Sequence, residues 1–212
     1  MIEIIPAIIA ENYKELEDKI KAVEPYVKWV QLDVSDGKFA PSITFNDPAK
    51  LKDLNTDLEL EAHLMVAELE KDIDFWLASP IKRILVHYES TRNIQKLIKK
   101  IKSAGREVGI VLKLETLVEV IDDFIRQINT VQLMSIAEIG YYGRKFDDRV
   151  LEKIRIIRKK YPEIPIAVDG GINPEIAQKV VVAGASRLIV GGYIFSSENT
   201  GETINNLKKS IE

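Results

Sequence analysis

Ile164-Pro165-Ile166-Ala167-Val168-Asp169-Gly170-Gly171-Ile172-Asn173-Pro174 is the stretch from which the fold can be read. A short apolar run ends on an aspartate and two glycines. Asn173-Pro174 then supplies a helix N-cap followed by proline at the first helical position. Ile176, Val180 and Val181 continue at helical spacing until Gly184 ends the helix, and a second apolar run over 187–190 again closes on a glycine pair, Gly191-Gly192. Two strands joined through a helix run parallel, because a parallel pairing needs a crossover.

Outward from this unit the same alternation covers the chain. Short β-branched or apolar runs recur at residues 2–8, 29–34, 58–65, 83–87, 107–112, 130–135, 164–168 and 187–190. Between most of them lie helical stripes. Tyr13, Leu16, Ile20 and Val23 follow an Asn12 N-cap with Glu15 three residues on. Ile94, Leu97, Ile98 and Ile101 end at Gly105, and Val150, Leu151, Ile154 and Ile157 stop before Pro162. Ile204, Leu207 and Ile211 form the last stripe, whereas residues 48–54 leave room for little more than a turn or two. Eight such units, about 26 residues each, predict one closed (β/α)8 TIM barrel spanning residues 1–212, with an open doubly wound sheet as the alternative. No Ser/Gly- or Pro-rich linker divides the chain.

Composition narrows the function. Lys+Arg number 30 against 33 Asp+Glu, a net charge of −3, which argues against nucleic acid as a partner. A 46% apolar and 30% charged makeup is that of a globular protein, and no apolar run approaches the roughly 18–20 residues of a membrane span. The start of the chain has no basic segment ahead of its apolar residues, so a cytoplasmic protein is expected. The absence of cysteine excludes disulfides, thiolate-ligated metals and thiol nucleophiles.

Strands buried on both faces usually read as continuous apolar runs, yet several here carry polar residues with period two. Gln31 and Asp33 share one face of their strand; Glu59, Glu61 and His63 share one face of the next; His87 and Glu89 follow Leu85, and Asp169 ends its run. In a barrel the apolar face packs under the helices, so these groups point inward. Asp33, His63, His87 and Asp169 then stand at the carboxyl-terminal rim, where barrel enzymes keep their sites. Glu59 and Glu61, early in their strand, are expected to be interior ion-pair partners. His87 is either a structural histidine satisfied by Glu89 or part of the site. Asp36 is expected in a turn before Gly37. Burying Asp33 and Asp169 unpaired would be costly, and one divalent cation is a way to hold them with His63. The glycine pairs 170–171 and 191–192 follow the last two strands, the usual barrel location for a phosphate.

Pro6-Ala7-Ile8-Ile9-Ala10, Gln31-Leu32-Asp33-Val34-Ser35-Asp36-Gly37-Lys38-Phe39-Ala40-Pro41, Ala62-His63-Leu64-Met65-Val66, Leu133-Met134-Ser135, Val168-Asp169-Gly170-Gly171-Ile172 and Gly191-Gly192-Tyr193-Ile194-Phe195 together resemble the ribulose-phosphate 3-epimerase family, in order and over nearly the whole chain. The resemblance implies a barrel of the ribulose-phosphate-binding type that interconverts D-ribulose 5-phosphate and D-xylulose 5-phosphate, or acts on a related ketose phosphate. It implies Asp33 and Asp169 as the acid/base pair, and Asp33, His63 and Asp169 as ligands of Zn2+, Mn2+ or Fe2+. The family's second ligand histidine falls at Gln31, a weaker neutral donor, and its substrate-side serine falls at Ala7. Its site methionine is Ser35. Its phosphate-gripping loop is here Glu138-Ile139-Gly140-Tyr141-Tyr142-Gly143-Arg144, which keeps Gly140 and Gly143, adds Arg144 as a charged phosphate contact, and places a repelling Glu138 nearby. Gly170, Gly171, Gly191 and Gly192 complete the expected phosphate site. The alternatives are a sugar-phosphate-binding barrel without turnover and a phosphosugar lyase or decarboxylase. Against the last, Ser35 stands where related decarboxylases carry a lysine. Homo-oligomerisation is expected, and Phe75 and Trp76 are expected to pack in the core.

Overall fold

A computed structural model of the chain describes residues 2–212. Eight strands, β1 (Glu3–Ile8), β2 (Trp29–Ser35), β3 (Glu59–Met65), β4 (Arg83–His87), β5 (Glu107–Leu112), β6 (Thr130–Met134), β7 (Ile166–Asp169) and β8 (Arg187–Val190), pair in parallel in chain order, and β8 closes onto β1. The fold is the expected (β/α)8 barrel and not the open sheet. Helices α1 (Tyr13–Val23), α2 (Ile73–Leu77), α3 (Ile94–Ser103), α4 (Arg149–Lys160), α5 (Pro174–Ala183), α6 (Gly192–Phe195) and α7 (Thr200–Ser210) surround it. Two crossovers lack an α-helix. A 3-10 helix, Pro48–Asp53, follows β2, and two short 3-10 turns, Val118–Ile121 and Ile125–Gln127, join β5 to β6.

Local chemistry explains the boundaries. Asn12, Asn93, Asn173 and Asn199 each accept the backbone N–H three residues on, so four helices start on an asparagine side chain. Glu15 completes the first cap by accepting the Glu11 N–H at 2.8 Å. Pro165 has no N–H for the ladder, so β7 starts at Ile166, two residues later than its apolar run suggests, and carries Asp169 as its last residue.

The apolar faces of the strands, Val30, Leu32, Val34, Leu60, Ala62 and Leu64 among them, pack outward against Leu16, Ile20, Leu97 and Ile101 of the helices. Inside, the amino-terminal end is closed by Arg83, whose guanidinium bonds Glu61 at 2.5 Å and Glu107 at 2.7 Å and lies 4.1 Å from the Trp29 ring centre. Glu61 is thus the expected interior partner. Glu59 is not: its side chain is one-third exposed and pairs with Lys82 at the barrel's edge, because the first residue of the strand lies below the sealed interior. Trp76 is buried as expected, whereas Phe75 is 66% exposed, since on so short a helix only one flank of the pair meets the barrel. Trp29 packs in the same layer as Arg83; Ile5, Ala7, Ala167 and Ile189 also fill the bore, and Met65, Leu85, Val111 and Met134 fill its upper half. Gly109 on β5 makes room there, since a Cβ would stand 2.4 Å from Leu85 Cδ2.

Breaking a buried ion pair from one side leaves the other charge stranded. Arg83→Met is therefore expected to cost about 3–5 kcal/mol, read as a lower urea midpoint at unchanged slope. Adding Glu61→Leu should recover much of the loss. A single variant as stable as the parent would contradict this reading.

Candidate active site

Register brings the site together. Asp33 of β2 is the ladder neighbour of His63 on β3, Gln31 is the neighbour of Ala7 on β1, and Asp169 of β7 is the neighbour of Met134 on β6. All inward residues at this level stand near the carboxyl-terminal mouth, and Gln31, Asp33, His63 and Asp169 are buried. Asp33, His63 and Asp169 each offer a ligand atom within 4.8 Å of the others.

The imidazole sits between the acids. His63 Nδ1 is 3.0 Å from Asp33 Oδ1 and 3.4 Å from Asp169 Oδ2. Two glutamines add donors: Gln31 Nε2 donates to Asp33 Oδ1 at 2.7 Å and Asp169 Oδ2 at 3.0 Å, and Gln132 Nε2 donates to Asp169 Oδ2 at 2.9 Å. Burial opposes the charge on His63, but its hydrogen bonds to Asp169 and Asp33 outweigh that and lift it to about 9. Burial likewise pushes Asp33 above the ordinary carboxylate range, against the lowering effect of its bond to His63.

Behind His63 a second chain fixes the ring. His63 Nε2 is 2.9 Å from His87 Nε2, and His87 Nδ1 is 3.2 Å from Glu89 Oε2. Burial drives His87 down to about 4, so it stays neutral, accepts from the His63 Nε2–H and donates its Nδ1–H to Glu89. His87 is therefore both satisfied by Glu89 and joined to the site. Burial would raise Glu89, but its bonds to His87, Thr116 and the Lys113 N–H hold it at about 2. Phe39 covers His87 with its ring 4.9 Å away.

The remaining expected residues line the same cavity, of about 500 Å³. Ala7, Gly140, Gly143, Arg144, Gly170, Gly171, Gly191 and Gly192 all border it beside the acids. Gly170 and Gly171 have φ of 122° and 66°, and a Cβ on Gly171 would meet the Phe146 nitrogen at 2.8 Å, so both positions require glycine. Arg144 bonds Glu138 at 2.7 Å, which offsets the expected repulsive carboxylate and engages the expected phosphate cation at once. Asp36 is a turn residue, accepting from the Lys38, Phe39 and Ala67 amides. Ser35 faces Ser42 at 2.7 Å. Two residues escaped sequence reasoning. Gln132 breaks the apolar run of β6, the same signal that exposed Gln31. Tyr142 packs its ring on Gly191, donates to the Ala7 carbonyl at 2.7 Å and accepts the Ile9 N–H at 2.8 Å.

The cluster has the donor set of a divalent-cation site. It combines two carboxylates, one imidazole oriented through its other nitrogen, and two buried carboxamides whose Oε1 atoms have no hydrogen-bond partner among the described residues. Since Glu89 sits at about 2 against its ordinary 4.5, its contribution to stability is complete above pH 4.5 and is lost as pH falls through 2. Glu89→Gln is expected to flatten the acid limb of stability between those values, removing on the order of 3 kcal/mol of pH dependence. Parallel curves for variant and parent would refute the assignment.

Comparison with known proteins agrees with this geometry. The sequence profile described as the Ribulose-phosphate 3 epimerase family matches residues 3–195. The chloroplastic ribulose-5-phosphate-3-epimerase of Arabidopsis thaliana is 34% identical, over 99% of this chain and 77% of that protein. The ribulose-phosphate 3-epimerase of Bacillus subtilis is 32% identical, over 99% of this chain and 100% of that one. Among solved structures, 3-hexulose-6-phosphate synthase from Salmonella typhimurium superposes with a TM-score of 0.75 over 99% of this chain and 98% of that one; at 15% identity this is a likeness of fold. The chain belongs to the ribulose-phosphate 3-epimerase family of isomerases.

Proposed function

We propose that the protein interconverts D-ribulose 5-phosphate and D-xylulose 5-phosphate by proton transfer at C3 between Asp33 and Asp169. The observation that carries this reading is the convergence of two buried carboxylates, from β2 and β7, on one imidazole at the floor of a glycine-lined cavity. Inverting a carbon beside a ketone requires a base on one face and an acid on the other. One carboxylate takes the C3 proton, the C–H electron pair moves into an enediolate, and the other carboxyl group returns a proton to the opposite face. The reverse reaction exchanges their roles. A carboxylate is a weak base for a carbon acid, and burial of Asp33 raises it toward the working pH.

Asp33, His63 and Asp169, with Gln31, would hold a divalent cation such as Zn2+, Mn2+ or Fe2+. When bound, it supplies positive charge where the enediolate oxygens develop theirs. His63 is kept in position by His87 and Glu89. The backbone at Gly170, Gly171, Gly191 and Gly192 is suited to the substrate phosphate, with Gly140, Gly143 and Arg144 on the facing loop and Ala7 on the floor. Decarboxylase or lyase chemistry has less support, because Ser35, bonded to Ser42, offers no amine beside Asp33. The Glu138–Arg144 pair favours the second reading, a barrel that binds sugar phosphate without turnover.

Incubation with ribulose 5-phosphate in D2O separates the two. Xylulose 5-phosphate with deuterium at C3 is expected, and Asp33→Asn or Asp169→Asn should each lower kcat by about 10²–10⁴ while calorimetry still detects the sugar phosphate. Tight binding by the parent protein without product or label would select the non-catalytic barrel.

A further inference from the structure

Gln132 stands at the centre of β6 with no exposed surface, and the acid pair does not require it. Its Nε2 reaches Asp169 Oδ2 at 2.9 Å and comes within 3.5 Å of His63 Nδ1. Gln31, from β2, reaches the same oxygen at 3.0 Å and comes within 3.3 Å of the same nitrogen. Two carboxamides thus approach one point from different strands, and in both the Oε1 is buried without a partner among the described residues. Buried carbonyl oxygens are nearly always partnered. A half turn of a carboxamide exchanges its oxygen and nitrogen at almost constant shape, so either glutamine can present an oxygen where it now presents N–H. Neighbouring ligand atoms about 2.1 Å from an octahedral ion stand about 3 Å apart; the contacting atoms among the five groups here stand 2.7–3.5 Å apart, and the ligand atoms of Asp33, His63 and Asp169 all lie within 4.8 Å of one another.

We propose that Gln132 joins Gln31, Asp33, His63 and Asp169 in the shell of a bound divalent cation, both glutamines turning their oxygens inward. The resulting set, one imidazole nitrogen and four oxygens, shifts preference away from Zn2+ and toward a harder ion such as Mn2+. Four-coordinate zinc favours nitrogen and sulfur ligands, whereas carboxylate and carbonyl oxygens suit Mg2+ and Mn2+. Absolute affinities follow the usual metal order in any such site, so the quantity that reports the shift is the Zn2+/Mn2+ affinity ratio. The inference rests on the preceding reading only in placing a cation at the acids, and it is tested without turnover.

Full-length protein stripped with chelator is titrated with Mn2+ and with Zn2+ by calorimetry, and Mn2+ occupancy is followed by electron paramagnetic resonance. One Mn2+ per chain is expected. Gln132→Leu should weaken Mn2+ by about tenfold or more and Zn2+ by less. Gln132→Glu, which keeps an oxygen but cannot donate a proton, should tighten Mn2+. Gln31→His should raise the Zn2+/Mn2+ ratio by about tenfold. Unchanged Mn2+ affinity in Gln132→Leu overturns the proposal, as does weakening by Gln132→Glu as large as that by Gln132→Leu, which would assign Gln132 an N–H role alone. Melting of the stripped variants checks folding, and if Gln132→Leu does not fold, Gln132→Glu decides. A parent protein that binds neither ion removes this proposal and the cation of the preceding reading together. Deuterium exchange with unaltered Mn2+ binding in Gln132→Leu removes this proposal alone.

Discussion

Two acids buried a few ångströms apart repel, and the upper half of this barrel is arranged around that repulsion. His63 lies between them with its Nδ1 within reach of both, and the carboxamides of Gln31 and Gln132 add three further donor contacts. Each of these groups projects from a strand and not from a loop. The parallel ladder that sets Asp33 beside His63 therefore also sets the charge balance of the site. The His87–Glu89 chain extends the same balance to the end of β5, where the Lys113 N–H and Thr116 hold the terminal carboxylate.

The lower half solves a different problem with the same alternation. Arg83 lies among Glu61, Glu107 and Trp29, so the polar inward positions at the two ends of the barrel serve separate purposes. The amino-terminal set closes the bore. The carboxyl-terminal set leaves a cavity open to ligands.

Period two made most of this legible in the sequence. Gln31 and Asp33, or Glu61 and His63, share a face because successive strand residues alternate, and an apolar opposite face left only the interior for them. Gln132 carried the same information in weaker form: it alternates only with Thr130, a residue as common in apolar strands as in polar ones, so the period was easily passed over. The boundary of β7 was blurred because a proline reads as apolar yet cannot donate to a ladder. Phe75 and Trp76 are adjacent on one short helix, and composition alone cannot divide a buried ring from an exposed one. Tyr142 was out of reach for another reason, since its partners Ala7 and Ile9 lie more than 130 residues away. Nothing local marks such a bond. Arg144 shows the reverse limit: its charge was visible, but its pairing with Glu138 depends on how the loop curls.

The tyrosine on that loop has a mechanical meaning. Its hydroxyl spans the backbone at the end of β1, its ring lies 6.3 Å from Phe195, and the Lys19 ammonium of α1 sits 5.6 Å from both rings while bonding the Ile9 carbonyl. The loop after β6, the last βα turn and the first helix are thus joined at a single point. Displacing that loop would break all of these contacts together, so its position is tied to the seam where the chain's first and last strands meet.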